Sequence, residues 1–332
     1  MASDQSGEIL VTGAGGAIGR MLAGALAERN FPVVAQLRSG ANSPPELQRC
    51  LRTLSADVRD PASLRAAMRG VQTVVHLAAI HGNAATSDTE YIDVNVRGAV
   101  NAVEAARDCG VTRFVHISSI GVHGDARGQA LHENSPFAPR DIYTRSKTEG
   151  EQAVRESFQK GGIEGVVLRP LGIYGPGDLR FKKLFKGLTR GKFPMIGAGN
   201  AITQMCYTET FVEAVLAAVR VPAAAGEVFI VADEERPTVR EFVALAAAAT
   251  GGRTLPFQIP LGPAMFAARA CEALCKPLGI APPLYPRRLE FYTTSRMADV
   301  SKMRRALGVR SSLSLSERVQ RTADWYRSAG LL

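Results

Sequence analysis

Two residues with complementary proton chemistry lie four positions apart in the stretch "DIYTRSKTEGE", residues 141–151: Tyr143 and Lys147. Residues at i and i+4 share one face of a helix, so this phenol and this ammonium could act on the same ligand. A phenol ordinarily ionises near pH ~10, and a nearby cation would lower that pKa by favouring the phenolate. The spacing also occurs by chance on many helices. The pair therefore indicates a proton-transfer site only if other motifs support it.

A glycine-rich loop lies near the start of the chain, between an apolar strand pattern and a helical pattern. Three glycines of "VTGAGGAIGR" are spaced three apart: Gly13, Gly16 and Gly19. In dinucleotide sites such glycines permit the turn, let backbone approach the pyrophosphate, and allow the helix to pack closely. The first helical residues, Ala17 and Ile18, would offer free N–H groups and the positive helix end to phosphates. The loop predicts a dinucleotide site.

The ends of the following strand patterns carry candidates for the adenosine half of that cofactor. Leu37 stands where NAD-preferring proteins hold an acidic residue, and Arg38 follows it. A guanidinium attracts a 2′-phosphate, so the sequence favours NADP, with NAD and a merely solvated Arg38 as alternatives. Asp57 could accept a hydrogen bond from the adenine amino group. Four further candidates end the third and fourth strand patterns: Val58, Leu77, Ala78 and Ala79.

Strand and helix patterns alternate about every 30 residues, as in successive βαβ units. Several strands read as continuous apolar runs, which are typical of strands buried on both faces. The regularity breaks after residue 173. We predict an α/β fold: a doubly wound parallel (Rossmann) sheet with a smaller C-terminal substrate-binding lid. The predicted core is 1–172, with 205–250 returning to it, and the predicted lid is 173–204 and 251–332.

Composition excludes several classes of function. The formal net charge is +9, but basic residues are scattered and no zinc-finger or aromatic RNA-binding motif occurs, which argues against nucleic acid. Five sparse cysteines indicate reduced thiols in a cytoplasmic protein, with no metal. No run of 18 apolar residues exists. The nearest approach, 260–284, contains Arg269, Glu272 and Lys276 and predicts an amphipathic helix over a pocket, with peripheral membrane contact left open.

These motifs together resemble the extended short-chain dehydrogenase/reductase family, also called the NAD-dependent epimerase/dehydratase family. The resemblance covers nearly the whole chain. The stretches that carry it are "TGAGGAIG" (12–19), "ADV" (56–58), "HLAA" (76–79), "NVRGAVNAVEAA" (95–106), "FVHISSIGVHG" (114–124), "YTRSK" (143–147), "LRPLGIYGPGD" (168–178) and "VFIVADEERPTVREF" (228–242).

The resemblance implies a catalytic triad of Ser119, Tyr143 and Lys147. Ser119 would bond the reacting oxygen, with Ser118 as the next candidate for that role. Tyr143 would transfer the proton as hydride moves to or from the nicotinamide. Lys147 would lower the pKa of Tyr143, together with the positive nicotinamide ring, and hold the ribose hydroxyls.

The resemblance also extends to residues around the triad. Pro170 and the backbone through Ile173 would lie near the nicotinamide carboxamide, and Asn95 would bridge helix and sheet backbone. His81 faces either substrate or solvent, and His123 receives no role. Family members usually form homodimers through the long helices that here carry Val94–Ala106 and Tyr143–Phe158.

Departures from the sugar-nucleotide pattern bear on the reaction. Gly172 and Thr203 replace an asparagine and an arginine that contact substrate phosphate, and Ile120 and Gly121 replace the acid/base pair of dehydratases. The chain looks more like the 3β-hydroxysteroid dehydrogenase-like and dihydroflavonol reductase-like branches. We therefore expect a secondary alcohol/ketone oxidoreductase acting on a small molecule. The alternative is a nucleotide-sugar 4-epimerase with tightly bound NAD. Three arginines could bind a diphosphate or pair with acidic neighbours: Arg287, Arg288 and Arg296.

Overall fold

Seven parallel strands form the central sheet of the computed structural model, which describes residues 7–38, 40–81, 86–125, 128–275, 280, 282 and 284–332. In spatial order they are β10 (Val228–Val231), β6 (Glu164–Pro170), β5 (Arg113–Ile117), β4 (Thr73–His76), β1 (Ile9–Thr12), β2 (Val33–Leu37) and β3 (Arg52–Ser55). From β1 the chain adds strands first on one side, as β2 and β3, and then on the other side, beginning with β4, so the strand order reverses between β1 and β4. This is the position at which such sheets bind ligands. The predicted doubly wound sheet is confirmed.

The inner strands are buried on both faces, and β3 is the exception. Every residue of β1, β2, β4 and β5 is buried. Three of the four residues of β3 are exposed. This strand forms the edge of the sheet and pairs only with β2, so its polar side chains are hydrated there.

Helices cover both faces of the sheet. One apolar cluster includes residues of α1 (Ala17–Glu28), α7 (Thr208–Arg220) and α11 (Ser301–Leu307). The other includes residues of α2 (Pro61–Ala67), α4 (Gly98–Asp108) and α5 (Ile142–Gln159). A short α3 (Asp88–Ile92) precedes a turn of π-helix, Asp93–Arg97, that leads into α4. The near-C-terminal α11 thus packs directly on the nucleotide-binding core.

A third apolar cluster forms where α6 (Lys182–Thr189), α8 (Val239–Thr250) and α12 (Leu315–Ser328) meet. Thr238 and Glu241 form the predicted capping box at the start of α8. The sequence analysis assigns α8 to the core as a prediction. In the structure Val239 and Phe242 are buried in this third cluster, because the apolar side of α8 faces α6 and α12. A buried ion pair between Arg318 and Asp233 (2.9 Å) ties α12 to the end of β10.

Two small parallel strand pairs complete the fold: β7 (Ile173–Tyr174) with β9 (Cys206–Tyr207), and β8 (Phe193–Ile196) with β11 (Thr254–Ile259). Then follow α9 (Leu261–Cys275) and α10 (Pro286–Thr293). α9 buries only Ala264 and Ala268, while Phe266 is 76% exposed. Met265 packs partly against the same inner cluster, while Arg269 and Glu272 are exposed on the helix together with Phe266 and Leu274. The outer side of α9 is therefore more apolar than that of an ordinary amphipathic helix. Lys276 lies outside the described residues. Throughout the described ranges, no helix combines the length and apolar character required to cross a bilayer.

Candidate active site

The glycine loop forms a tight cradle between β1 and α1. Gly13 has a positive φ of 69°, and a Cβ there would lie 2.8 Å from the Cα of Ala78. A Cβ on Gly19 would lie 2.2 Å from the carbonyl oxygen of Gly13. Both positions therefore require glycine. Gly16 precedes α1 and supplies no side-chain cap, so the first N–H groups of the helix are available to an anion, which fits a pyrophosphate.

Two buried polar side chains fix this cradle to the sheet. Gln36 accepts a hydrogen bond from the Gly13 N–H (2.8 Å) and donates to the carbonyls of Leu37 and Ala56. Thr12 accepts from the N–H of Ala78 (3.2 Å). The ends of β1 to β4 are thereby cross-linked. Sequence reasoning missed Gln36, because a glutamine inside an apolar strand pattern shows no partner until the strand order is known.

The predicted adenosine residues lie at the carboxyl edge of β2 and β3. Leu37 is buried, and Arg38 beside it is exposed. The Asp57 carboxylate is bound by Arg59 through Nη2 (2.6 Å) and Nε, an interaction that lowers the pKa of Asp57. The sequence had suggested no role for Arg59. The charge of Arg38 also lowers the pKa of Asp57, so two basic side chains surround this carboxylate at the edge next to Leu37.

The other predicted cofactor residues frame the same edge. Val58 is buried and lies against α4, where a Cβ on Gly98 would be 2.7 Å from its Cγ2. The chain after β4 passes beside the glycine loop, with Leu77 and Ala78 half-buried and Ala79 exposed. Pro170 ends β6 and Ile173 begins β7, both buried across the crevice.

Ser119 and Tyr143 meet at the carboxyl end of β5. Ser119 precedes a short 3-10 helix, Ile120–His123, and Tyr143 lies in the first turn of α5, which Asp141 caps. Burial raises the pKa of the Tyr143 phenol, while a hydrogen bond with Ser119 and the charge of Arg180 act to lower it. The lowered pKa that the sequence predicts is therefore not found in the protein by itself.

Lys147 lies one helical turn beyond Tyr143 and is buried. Its ammonium donates to the carbonyl of Ile117 at 2.6 Å. Burial lowers the pKa of Lys147 to about 8, and the carboxylate of Glu151 opposes that change. The helix thus places the ammonium on the end of β5, one turn from Tyr143, in a dry site where its charge acts strongly.

A buried ion pair supports this part of α5. Glu151, four residues after Lys147, accepts from the Ser118 hydroxyl (2.6 Å) and from Arg169 Nε (2.9 Å). Arg169 also contacts His123 Nε2 (2.9 Å), so His123 belongs to this network. Burial lowers the pKa of His123. The hydroxyl of Ser118, the alternative catalytic serine, is thus engaged by Glu151. Sequence reasoning did not identify Glu151 or Arg169.

Asn95 and His81 lie at the chain segment that follows β4. Asn95 is buried in the π-helical turn and bonds both the N–H (2.7 Å) and the carbonyl of Ile80, as well as Ser146 (2.9 Å). Asn95 thus joins the π-helical turn to the backbone after β4 and to α5. The ring of His81 meets the ring of Tyr143 edge-on, with centroids 4.5 Å apart. His81 is exposed, and its ring also lies against the candidate acid/base.

Arg180 enters the same crevice, although the sequence suggested no role for it. A Cβ built on Gly172 would lie 2.7 Å from Arg180 Nη1. Gly172 is the position where sugar-nucleotide members are expected to carry asparagine, so its lack of a side chain makes room for this guanidinium. The charge of Arg180 also lowers the pKa of Tyr143, which places it within electrostatic range of the phenol.

The remaining substrate candidates lie elsewhere. Thr203 is buried, and its N–H bonds the carbonyl of Pro237 (2.8 Å). Arg296 pairs with Glu290 at 3.5 Å, and Arg288 stacks on the ring of Tyr285. The side chain of Arg287 lies outside what the structure describes.

Comparison with known proteins agrees with this geometry. The model of the NAD dependent epimerase/dehydratase family matches residues 9–232. The chain belongs to this family. Its members are NAD-dependent dehydrogenases and epimerases, so membership establishes the class of cofactor and leaves the specific reaction to be argued from the site.

Relatives represent both reaction types. A 3 beta-hydroxysteroid dehydrogenase/Delta 5-->4-isomerase of Mycobacterium tuberculosis is 30% identical, over 97% of this chain and 91% of its own length. An N-acetyl-alpha-D-glucosaminyl-diphospho-ditrans,octacis-undecaprenol 4-epimerase of Escherichia coli is 28% identical, over 96% of this chain and 94% of its own length. The solved structure of MoeE5 with UDP-glucuronic acid and NAD covers 97% of this chain and 100% of its own, at 25% identity and a TM-score of 0.76.

Proposed function

We propose that this protein is an NAD(P)-dependent oxidoreductase that interconverts a secondary alcohol and a ketone. The observation that carries the proposal is the hydrogen-bonded pair Ser119–Tyr143, next to the buried Lys147 and at the sheet edge that the glycine loop borders. Bound NAD(P) supplies a carbon that donates or accepts hydride. The protein must then bind the reacting oxygen and move one proton.

Tyr143 is the proposed acid/base. In ketone reduction its hydroxyl donates the proton that the product alcohol requires, and its raised pKa keeps it protonated at neutral pH. Ser119 holds the same oxygen and orients it. Lys147 stabilises the phenolate left behind, since an ammonium in a dry site favours a nearby anion. In alcohol oxidation the same groups act in reverse order.

The proposed cofactor is NADP. Arg38 is exposed next to Leu37, and Arg59 lies across the carboxylate of Asp57. These side chains present positive charge and no free carboxylate to the adenosine ribose. A 2′-phosphate is favoured by that arrangement, because charge-assisted hydrogen bonds to guanidinium are strong.

The proposed substrate is an apolar alcohol or ketone, bound between the sheet edge and the lid segments. Thr203 is buried and bonded, and Gly172 has no side chain, so two expected diphosphate contacts are missing. The names of the two relatives include a steroid and an undecaprenol, both largely apolar. For the quaternary structure we propose a homodimer that forms through α4 and α5.

A second candidate function, 4-epimerisation of a diphosphate-linked sugar, is favoured by Arg180. Its guanidinium stands beside Gly172 and within electrostatic range of Tyr143, where it could bind a phosphate. Cofactor turnover separates the two functions. The oxidoreductase consumes NADPH in equal amount to the ketone reduced, seen as loss of the nicotinamide absorbance. An epimerase forms product with no net change in the cofactor.

Arg180→Gln refines that test. If the substrate carries a diphosphate, losing this charged contact should lower kcat/KM about 10- to 100-fold, the value of one hydrogen bond to a charged group. For an apolar ketone no phosphate contact is lost, and kcat/KM should change by less than about fivefold, through the charge that Arg180 exerts on Tyr143. Arg190→Gln, an exposed arginine of the same segment, is the matched control. Product formation from a UDP-sugar without NADPH loss would reject the oxidoreductase.

A further inference from the structure

Most of the large apolar side chains that the described chain exposes lie in one stretch. Seven such residues are exposed, and five of them fall within 257–280. These five form what we call the apolar face: Phe257 (58% exposed), Leu261 (40%), Phe266 (76%), Leu274 (71%) and Ile280 (56%). Scattered exposed apolar residues are normal, but a grouped set marks a surface that another body covers.

The composition of α9 explains why this face exists. Its 15 residues, LGPAMFAARACEALC, include only two charged ones, Arg269 and Glu272. A helix that is apolar nearly all round is normally buried. Yet α9 buries only Ala264 and Ala268, which lie in a small cluster with Ile196 and Leu289. Met265 packs partly against the same cluster, whereas Leu261, Phe266 and Leu274 are exposed.

The chain concentrates its positive charge around the same region. Residues 180–192 contain six Lys or Arg and no Asp or Glu, and residues 251–300 contain six basic and three acidic residues. The rest of the chain has 28 of each sign, so these two segments account for the whole net charge of +9. They are neighbours in the fold, because β8 pairs with β11 and Arg253 N–H bonds the Leu188 carbonyl (3.0 Å).

We propose that the apolar face and the basic residues around it form a docking surface for an anionic lipid bilayer. A 15-residue helix is about 22 Å long. That is too short for a hydrocarbon core of about 30 Å, so α9 lies in the interface plane. Anionic headgroups complement the basic segments. A second copy of this chain would instead bring two basic surfaces together. The proposal does not depend on which reaction the site performs.

Sedimentation of the full chain with vesicles tests the proposal. We expect binding to vesicles of phosphatidylcholine with about one-third phosphatidylglycerol, weakened by high salt and much reduced on pure phosphatidylcholine. Leu274→Ser should lower the partition coefficient about tenfold, since it removes one inserted side chain. Leu51→Ser is the matched control, because Leu51 is 57% exposed beside β3 on the nucleotide-binding core. It should leave the partition coefficient unchanged.

The basic residues are tested by a second matched pair. The double variant Arg190→Gln/Lys192→Gln should weaken binding to anionic vesicles about tenfold or more. The control Arg97→Gln/Lys160→Gln also removes two positive charges, but from the exposed surface of the nucleotide-binding core, and should have little effect. Far-UV circular dichroism and the thermal midpoint verify folding of each variant. Three results would overturn the proposal: no binding to anionic vesicles, equal loss in Leu274→Ser and Leu51→Ser, or an oligomer that Leu274→Ser dissociates while vesicle binding persists.

Discussion

The buried ion pair Glu151–Arg169, next to the active site, should contribute measurably to the free energy of unfolding. Glu151 is fully buried and Arg169 is 1% exposed, and the carboxylate also accepts from Ser118. Glu151→Gln leaves the guanidinium without its counter-charge in a dry site. Breaking such a pair should cost about 3–5 kcal/mol of unfolding free energy. Urea denaturation of both proteins at the same pH measures this loss.

The double variant Glu151→Gln/Arg169→Met supplies the control, since it removes both charges. It should recover a large part of the loss. With the single variant Arg169→Met it completes a double-mutant cycle, for which we expect a coupling free energy of about 2–3 kcal/mol. Full recovery is not expected, because Arg169 also donates to the Glu133 carbonyl and contacts His123. A coupling below about 0.5 kcal/mol, or a cost of Glu151→Gln below about 1 kcal/mol, would refute the reasoning.

Glu151→Gln also has a catalytic consequence through Lys147. The Glu151 carboxylate favours the Lys147 ammonium, whose pKa burial has already lowered to about 8. Without the carboxylate that pKa falls further, so the ammonium is lost at lower pH. The basic limb of kcat/KM against pH, which reports groups of the free enzyme, should therefore move to lower pH. An unmoved limb would show that Glu151 acts on stability alone.

Three further predictions follow from the cofactor cradle and the buried lysine. Arg38→Asp should shift the ratio of kcat/KM from NADP towards NAD by about 10- to 100-fold, and an unchanged ratio would show that another residue reads the phosphate. Gly19→Ala should destabilise the protein by about 1–3 kcal/mol and weaken cofactor binding, because its Cβ would lie 2.2 Å from the Gly13 carbonyl. Gly15→Ala, with its nearest contact at 3.3 Å, is the milder control. The folded-state pKa of Lys147 (about 8) is below the unfolded value of about 10.4, so the unfolded chain binds more protons between them. Lys147 should therefore add about 2 kcal/mol of stability as pH rises from about 8 to about 10, a gain that urea titrations should find missing in Lys147→Met.

Local patterns predict the sheet and the loop because they depend on nearby residues. The strand runs, the glycine spacing and the capping box of Thr238 all lie within a few positions of one another. Contacts between distant segments were not predictable in this way. Arg180 reaches the crevice only because Gly172 leaves room, and Glu151 meets Arg169 only once α5 packs on β6.

The pKa of Tyr143 and the orientation of the helix in 260–284 could not be predicted from the sequence either. A tyrosine and a lysine at i and i+4 predict a shared face, yet the protein raises the pKa of Tyr143 because burial outweighs the neighbouring charges. The 260–284 segment predicts a helix, but which side faces inward depends on the small partners Ala264 and Ala268. The pKa of a side chain and the inward side of a helix both depend on tertiary packing, which residue spacing does not reveal.

The central claim, that Tyr143 transfers the proton beside a bound nicotinamide, is tested most directly by Tyr143→Phe. Single-turnover hydride transfer should be followed by nicotinamide absorbance, with cofactor affinity measured on the same preparation. The account predicts a loss of rate of about 10²- to 10⁴-fold, the usual contribution of a positioned acid/base, with a cofactor Kd within about threefold of the parent. Near-normal hydride transfer in Tyr143→Phe, with the cofactor bound as before, would contradict it.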